Sequence, residues 1–326
     1  MADKSIFLIT SPFQVLCVKE AINHFEIDNY LIVVITSAND NRIKQTKNTL
    51  SYFNLVYECQ AVKSSSFREI RRIGELILRG DRYSKVFVGD CCDIWLVTLA
   101  LYVMKFRGNL VYLDDGASSI SFFDGNIYSS SYRFKRRCLT LLGLLIATRK
   151  PIFFTIFNVK KNCTYCIVHN GFKSLKKDVE ATVGGVYIIG TNIDVYCKEY
   201  HLSIDEYISS FISVIDKIKN DGNVDYFYIE HGRCINKEIR EICNDKGIKL
   251  LRPDVPIEFF FIRSRIEPKV IIGFDTTALF TLKGLFNQCE GLNIQIKSGF
   301  NINHPFQERY KNLLLEIGIP THTLYI

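Results

Sequence analysis

The sequence predicts an α/β protein built from two Rossmann-like domains that face a cleft. Short apolar, β-branched runs alternate with helical patterns along most of the 326 residues, and this alternation is typical of parallel sheets. The alternation breaks between residues 129 and 170 and then resumes. With 48% hydrophobic residues, the chain is long enough for two cores. We therefore expect one domain over residues 1–180 and another over 181–326.

The first half predicts five strands, the first four each followed by a helix. Residues 30–36 form a β-branched run without polar alternation, which is typical of a strand buried on both faces. Pro12 opens a helical pattern, as expected for proline in a first turn. The predicted strands are residues 5–10, 30–36, 55–62, 85–90 and 109–113, and the predicted helices are 12–25, 39–52, 67–79 and 94–106.

The second half repeats this rhythm. Ser203, with Glu206 three residues later, predicts a capping box at the start of a helix, and Gly247 ends the next helix. We expect the last helix to pack back on the first domain. The predicted strands are residues 185–190, 225–231, 248–251, 269–273 and 292–297, and the helices are 203–219, 235–246, 276–286 and 305–317.

The charge is mildly positive, with 41 Lys and Arg against 34 Asp and Glu. This balance suits a phosphate-bearing ligand, nucleic acid or an anionic membrane, and equally a solvated basic surface. Basic and aromatic residues surround a short apolar run within residues 133–157. That segment is either a membrane-interface patch or a buried crossover helix with solvated ends.

The eleven cysteines are scattered, and the N-terminus lacks the pattern of a signal peptide. We therefore expect a cytoplasmic protein with reduced thiols, possible peripheral contact with the inner membrane, and no spanning helix. Cys163 and Cys166 form a pair without a second pair at metal spacing. Since structural zinc takes four ligands, we expect no metal.

Polar groups gather where the predicted strands end, and in parallel sheets these ends share one edge. Asp114, Asp115 and Gly116 form either a paired carboxylate suited to general-base chemistry or an ordinary Asp-Gly turn. Further polar groups follow other predicted strands: Ser11, Pro12 and Gln14, then Gly190 and Thr191, then His231, Gly232 and Arg233, and finally Thr276 and Thr277.

The groups in the second half suit a phosphate. An arginine is a fixed cation, and a histidine can donate a proton to a leaving group, although both would also suit a capped strand end. Thr276 and Thr277 open a helix, so they either bind a phosphate or cap that helix. Glu258 is expected to accept the hydroxyls of a ribose.

In this order the motifs make the chain resemble the bacterial sialyltransferases with two Rossmann domains, the GT-B fold, including the lipooligosaccharide sialyltransferases and the polysialyltransferases. Those families carry a D/E-D/E-G motif, then a His-Pro motif, an acidic residue and a Ser/Thr pair. The corresponding residues here are Asp114-Asp115-Gly116, His231, Glu258 and Thr276-Thr277. Residues 11–15 are similar to the families' opening loop. One departure is that Gly232 follows His231, whereas His304-Pro305 comes after the hydroxyl pair.

The resemblance implies an inverting, metal-free transfer from CMP-sialic acid, the donor substrate, to a terminal sugar of a bacterial surface glycan, with no cofactor. It implies that Asp115 is the general base, with Asp114 beside it, and that His231 assists the departing CMP. The expected donor-binding residues are Glu258, Thr276, Thr277, Gly190, Thr191, Arg233 and Gly232, and the expected acceptor-side or loop residues are Ser11, Pro12, Gln14 and Gly116.

Two alternatives stay open from the sequence. Gly232, in place of the families' proline, favours another CMP-nonulosonic acid or a UDP- or GDP-sugar as donor. A basic scaffold that binds nucleic acid or membranes would instead show steep salt dependence and no need for Asp115. The basic residues are spread along the chain without a recognisable binding module, so we expect no nucleic-acid partner.

Overall fold

A computed structural model of the chain describes residues 4–36, 41–62, 66–78, 82–104, 108–116, 119–120, 122, 150–158, 165–176, 182–219, 224–232, 235–286, 288–299 and 304–326. The chain divides into two compact units, Met1–Ser174 and Leu175–Ile326. This division lies a few residues before the predicted boundary at residue 180.

The first unit contains a parallel sheet of seven strands in the order β3-β2-β1-β4-β5-β6-β7. Its strands are β1 (Lys4–Ile9), β2 (Tyr30–Thr36), β3 (Tyr57–Ala61), β4 (Tyr83–Val88), β5 (Asn109–Leu113), β6 (Ile152–Thr155) and β7 (Cys166–His169). Its helices are α1 (Pro12–His24), α2 (Asn41–Tyr52), α3 (Phe67–Leu78) and α4 (Ile94–Met104), and α5 (Lys173–Lys176) spans the division.

Both faces of the central strands are covered, which explains why those strands lack polar alternation. On β1, Ile6 and Leu8 pack into the core that includes α3 and α4. The intervening Phe7 and Ile9 pack on the opposite face with residues of α1. All four side chains are fully buried, so β1 is a central strand.

The second unit contains a parallel sheet of six strands in the order β10-β9-β8-β11-β12-β13. Its strands are β8 (Thr182–Ile189), β9 (Tyr226–Ile229), β10 (Lys249–Leu251), β11 (Ile266–Phe274), β12 (Glu290–Lys297) and β13 (Thr321–Tyr325). Its helices are α6 (Ile193–Tyr200), α7 (Ile204–Ile218), α8 (Lys237–Asp245), α9 (Ile257–Ser264), α10 (Ala278–Leu285) and α11 (Pro305–Glu316).

In each sheet, successive strands are added first on one side of the first strand and then on its other side. In the first unit the chain adds β2 and β3 on one side of β1 and then β4 to β7 on the other. The second unit adds β9 and β10 beside β8 and then β11 to β13 on the far side. Ligands of such sheets bind outside the carboxyl ends of the strands at this switch point. The switch points lie between β1 and β4 and between β8 and β11.

The predicted fold class of two α/β, Rossmann-like units is confirmed, and the predicted capping box of Ser203 and Glu206 is present at α7. The pattern did not reveal β6, β7, β13, α5, α6 or α9, so the first sheet has seven strands where five were predicted. The last helix, α11, packs on β12 and β13 of its own unit.

The aromatic part of the predicted membrane patch belongs to the core. Phe153, Phe154 and Phe157 are only 1%, 1% and 2% exposed, and the first two lie in β6, so none of them is available to a lipid surface. Residues 123–149, with most of the basic residues of that patch, and Cys163 lie outside the described residues. In the part of the chain that is described, no helix combines the length and apolar character needed to cross a membrane.

Candidate active site

The loops after β1 and β5 meet at the carboxyl edge of the first sheet. Asp115, after β5, accepts hydrogen bonds on Oδ1 from the Ser11 hydroxyl at 2.9 Å and from Gln14 Nε2 at 2.7 Å. Ser11 is the N-cap of α1, and Pro12 is its first residue. Ser11 and Gln14 are 4% and 0% exposed. Both side chains therefore hold Asp115 in place, and their expected role beside an acceptor stays a prediction.

Gly116 has a φ of +62°, which an L side chain rarely adopts. Its carbonyl accepts a hydrogen bond from the Ser119 amide, and the Asp115 amide donates to the Ser119 hydroxyl at 3.3 Å. The predicted tight turn is thus present, and it presents the Asp115 side chain at the strand end. Asp115 itself remains partly exposed.

Asp114 points in a different direction from Asp115. It is completely buried, and its Oδ2 accepts a hydrogen bond from the Ile156 amide at 2.6 Å, after β6. Burial raises the pKa of Asp114 to about 6, and the charge of Asp115 is the smallest of the causes. Asp114 is thus a fully buried carboxyl group that joins two strand ends, and its expected catalytic role stays a prediction.

Asp90 is the carboxylate that sequence reasoning missed. It follows Gly89 at the end of β4, beside β1 and β5, and its Oδ1 accepts from the Cys92 amide at 2.8 Å. Burial, and then the charge of Asp115, raise the pKa of Asp90 to about 7. The interaction of like charges expected within the Asp114–Asp115 pair therefore acts mainly between Asp90 and Asp115. The rule that selected polar residues at strand ends would also have selected Asp90.

One group near this edge has the composition of a metal site. Asp90, Cys91 and Cys92 bring their ligand atoms within 4.8 Å of one another, and the two sulfur atoms lie 3.9 Å apart. Three protein ligands are fewer than the four of a structural zinc site. The prediction that the protein works without a metal stays a prediction.

In the second unit, the carboxyl end of β9 carries Glu230, His231 and Gly232. Glu230 forms a bidentate ion pair with Arg240 of α8, with N–O distances of 2.5 and 2.7 Å. This pair ties β9 to α8, and His231 and Gly232 beyond it are partly exposed. Arg233 lies outside the described residues, so its expected role stays a prediction.

Thr276 and Thr277 lie at the second switch point, after β11. Thr277 is the N-cap of α10, but its side chain makes no capping hydrogen bond. Both threonines are partly exposed. A Cβ on Gly273 would lie 2.4 Å from the Thr276 methyl group, so only glycine allows Thr276 to fold back over the strand. The missing capping hydrogen bond disfavours the alternative that Thr277 only caps the helix.

The residue before them, Asp275, belongs to the same polar segment but was not among the predicted site residues. It has a φ of +46°, which is uncommon for a residue with a side chain. Its Oδ1 accepts from Asn293 Nδ2 at 2.9 Å and Gln295 Nε2 at 3.1 Å, and its Oδ2 accepts from Gln307 Nε2 at 3.0 Å. Burial raises its pKa to about 6, against these donors. The network holds the chain in the left-handed conformation that leads into Thr276.

The remaining residues predicted to bind the donor substrate are Glu258, Gly190 and Thr191. Glu258, in α9, is 5% exposed; it accepts a hydrogen bond from the Thr281 hydroxyl at 2.5 Å, and burial raises its pKa. A Cβ on Gly190 would lie 2.6 Å from the Tyr228 hydroxyl oxygen, so this glycine meets a packing requirement. Thr191 is partly exposed beside it. The predicted contact of Glu258 with a ribose stays untested.

No family model and no curated protein sequence matches this chain, but solved structures match its fold. A protein assigned as a UDP-N-acetylglucosamine 2-epimerase from Listeria monocytogenes is 14% identical with a TM-score of 0.56, over 90% of this chain and 79% of that chain. The GT-B domain of a sialyltransferase from Photobacterium damselae is 10% identical with a TM-score of 0.53, over 99% and 100% of the two chains. Anabaena HepE in complex with UDP is 11% identical with a TM-score of 0.52, over 98% and 85%. These likenesses establish a GT-B-like fold.

Proposed function

We propose that this protein is an inverting glycosyltransferase that moves sialic acid from CMP-sialic acid to a terminal galactose of a bacterial surface glycan. The observation that carries the proposal is the pair of hydrogen bonds that fixes the Asp115 side chain. A partly exposed carboxylate at a strand end accepts two hydrogen bonds from buried donors on one oxygen. Such an arrangement suits a general base whose orientation must be fixed. The order of the motifs, which resembles that of the sialyltransferase families, supports sialic acid as the sugar and CMP as the nucleotide.

In the proposed reaction, Asp115 takes the proton of the acceptor hydroxyl. The hydroxyl oxygen forms a bond to the anomeric carbon as the bond from that carbon to the phosphate oxygen breaks. The bonding electrons leave with CMP, and a single displacement inverts the configuration. Thr276 and Thr277, at the start of α10, bind the departing phosphate, and His231 assists by donating to it.

A second candidate donor has its own support. Gly232 stands where the sialyltransferase families have proline, and HepE, one of the structures with the same fold, was solved with UDP. A UDP- or GDP-sugar would use the same base and the same phosphate-binding groups. Thermal shifts with CMP, UDP and GDP separate these donors, because the true nucleotide stabilises the protein at the lowest concentration. A shift with UDP but none with CMP would replace the proposed donor.

Release of CMP from CMP-sialic acid, with a galactose-ended acceptor, tests the proposal directly. Asp115→Asn keeps an oxygen for Ser11 and Gln14 but removes the base, so we expect kcat to fall by about 100-fold or more. Asp245→Asn, an exposed change in α8, is the control and should leave kcat unchanged. Full activity in a folded Asp115→Asn variant would refute the assignment of the base.

A further inference from the structure

We propose that Gln14 is a positioning residue that leaves one oxygen of Asp115, Oδ2, to take the acceptor's proton. The inference rests on the proposed function and deepens it. Both donors to the Asp115 carboxylate, Ser11 Oγ and Gln14 Nε2, bind Oδ1. Within the described residues, no donor contacts Oδ2. The two oxygens therefore differ, and the difference is imposed by the protein.

The orientation of the Gln14 amide is determined by its surroundings. Its Oε1 accepts hydrogen bonds from the Thr10 amide at 2.7 Å and from the Ser11 amide at 3.2 Å. If the amide were flipped, its NH₂ group would face two N–H donors and its oxygen would face a carboxylate. Both contacts would be repulsive, so Nε2 is directed at Asp115. A buried amide with all of these partners has little freedom to rotate.

A close approach from the neighbouring strand confines the same side chain. A Cβ placed on Gly89, after β4, would lie 2.2 Å from Gln14 Oε1 and 2.5 Å from its Cδ. Because Gln14 is fully buried, the side chain can neither move outward nor contact a substrate. Gly89 thus provides the space that the amide needs at the junction of β1 and β4.

This geometry has a chemical consequence for the base. Two donors, Ser11 Oγ and Gln14 Nε2, occupy the lone pairs of Oδ1. A proton therefore adds more readily to Oδ2. The same contacts prevent rotation of the carboxyl group, so Oδ2 keeps one direction during the reaction. Ser11 and Gln14 form the capping box of α1, and the same two side chains also hold the Asp115 carboxylate.

A capping box alone would also explain why Ser11 and Gln14 are present, so the test must separate capping from positioning. Gln14→Met removes the donor to Asp115, and Gln14→Glu replaces that donor with a like charge but retains an oxygen for the two amides. Gly89→Ala keeps every hydrogen-bonding group and pushes the amide aside. Gly171→Ala is the matched control, because its nearest contacts would be at 3.8 Å.

For all variants, kcat and KM are measured from pH 5 to pH 9 with CMP-sialic acid, alongside thermal unfolding by circular dichroism. In Gln14→Glu we expect kcat at pH 7 to fall by about 10-fold or more, with KM within about twofold of wild type. The acid limb of the kcat profile should move up by about one pH unit, because a lost donor and an added like charge both favour protonation of the base. Gln14→Met and Gly89→Ala should move it in the same direction by less.

Wild-type profiles in folded Gln14→Met and Gly89→Ala variants would overturn the inference, as would a change in KM alone. If one substitution prevents folding, the other decides the question, since one alters the amide and the other only its space. Failure of the proposed function looks different, because the wild-type protein itself would then release no CMP. If the wild type is active but the acid limb of its kcat profile does not change when Gln14 is substituted, the proposed function holds and this inference is wrong.

Discussion

At the scale of single residues, Asp275 combines a side chain held by several hydrogen bonds with a strained backbone. The side chain accepts hydrogen bonds from Asn293, Gln295 and Gln307, which belong to β12 and α11, while its backbone has a φ of +46°. Such a conformation costs about 1–3 kcal/mol and persists when the surroundings enforce it. The residues that enforce it come from elements that follow Asp275 in the chain, so the local sequence carries no sign of it.

The raised pKa of Asp275 predicts a pH-dependent stability. Its value of about 6 in the folded state, against an ordinary 3.8, means that its contribution is fully present below pH 3.8 and is lost as the pH rises through 6. Relative to Asp275→Asn, we expect the wild type to lose about 2 kcal/mol of unfolding free energy between pH 4 and pH 7.

Urea unfolding at several pH values measures this difference, with Asp245→Asn, exposed in α8, as the control. The comparison uses the slope with pH, so a constant loss of stability from the new amide does not disturb it. Parallel slopes for wild type and Asp275→Asn would show that this carboxyl group titrates normally.

At the scale of elements, two helices of the second unit begin in different ways. Ser203 caps α7 with a full capping box, whereas Thr277 occupies the N-cap of α10 with helical backbone angles and makes no capping hydrogen bond. A cap that forms no hydrogen bond adds little to helix stability, and the proposed function gives the Thr277 hydroxyl a phosphate to bind. Two hydroxyl residues at the same helix position thus make different contacts.

These helix starts predict opposite effects of two alanine substitutions. Ser203→Ala should lower the unfolding free energy by about 1 kcal/mol and leave nucleotide affinity unchanged. Thr277→Ala should cost less than about 0.5 kcal/mol but weaken CMP binding by about 10-fold, because it removes a hydrogen bond to a phosphate.

Urea unfolding and calorimetric titration with CMP measure the two quantities for each variant. Ser209→Ala, exposed within α7, controls for loss of a hydroxyl elsewhere on a helix. Unchanged CMP affinity in Thr277→Ala would exclude this hydroxyl from the donor site, and a large loss of stability would restore it to helix capping.

At the scale of the whole molecule, each unit has its own hydrophobic cores. Among the described residues, clusters of the first unit draw on β1 to β6 and the helices that cover them. A cluster of the second unit contains buried residues from Val186 to Ile296, including residues of α6, α7 and α8. A unit with a complete core and an uninterrupted sheet has the features of an independently folding domain.

We therefore predict that residues 175–326 fold when produced alone. Thermal unfolding followed by circular dichroism should show one cooperative transition with a helix and strand content that matches the second unit. A gradual, non-cooperative transition would contradict the prediction, and the full-length chain under the same conditions is the reference.

Much of this architecture was predictable because it depends on local patterns. Buried parallel strands are apolar throughout, and helix starts carry capping residues such as Ser203. The elements that were missed are short or atypical: β6 has four residues, and α9 begins at a proline N-cap without a side-chain hydrogen bond. Asp115, Thr276 and Thr277 were found because they follow apolar strands.

The order of amino acids was sufficient to specify two α/β units and to mark their polar strand ends, since periodicity and capping act between near neighbours. It did not specify which of those ends become neighbours or what each carboxylate contacts. Asp114 turned inward to β6, Asp90 came beside Asp115, and Gln14 acquired its partner 101 residues away. These outcomes depend on the strand order, in which β4 lies between β1 and β5, and strand order follows from long-range packing that no local pattern encodes.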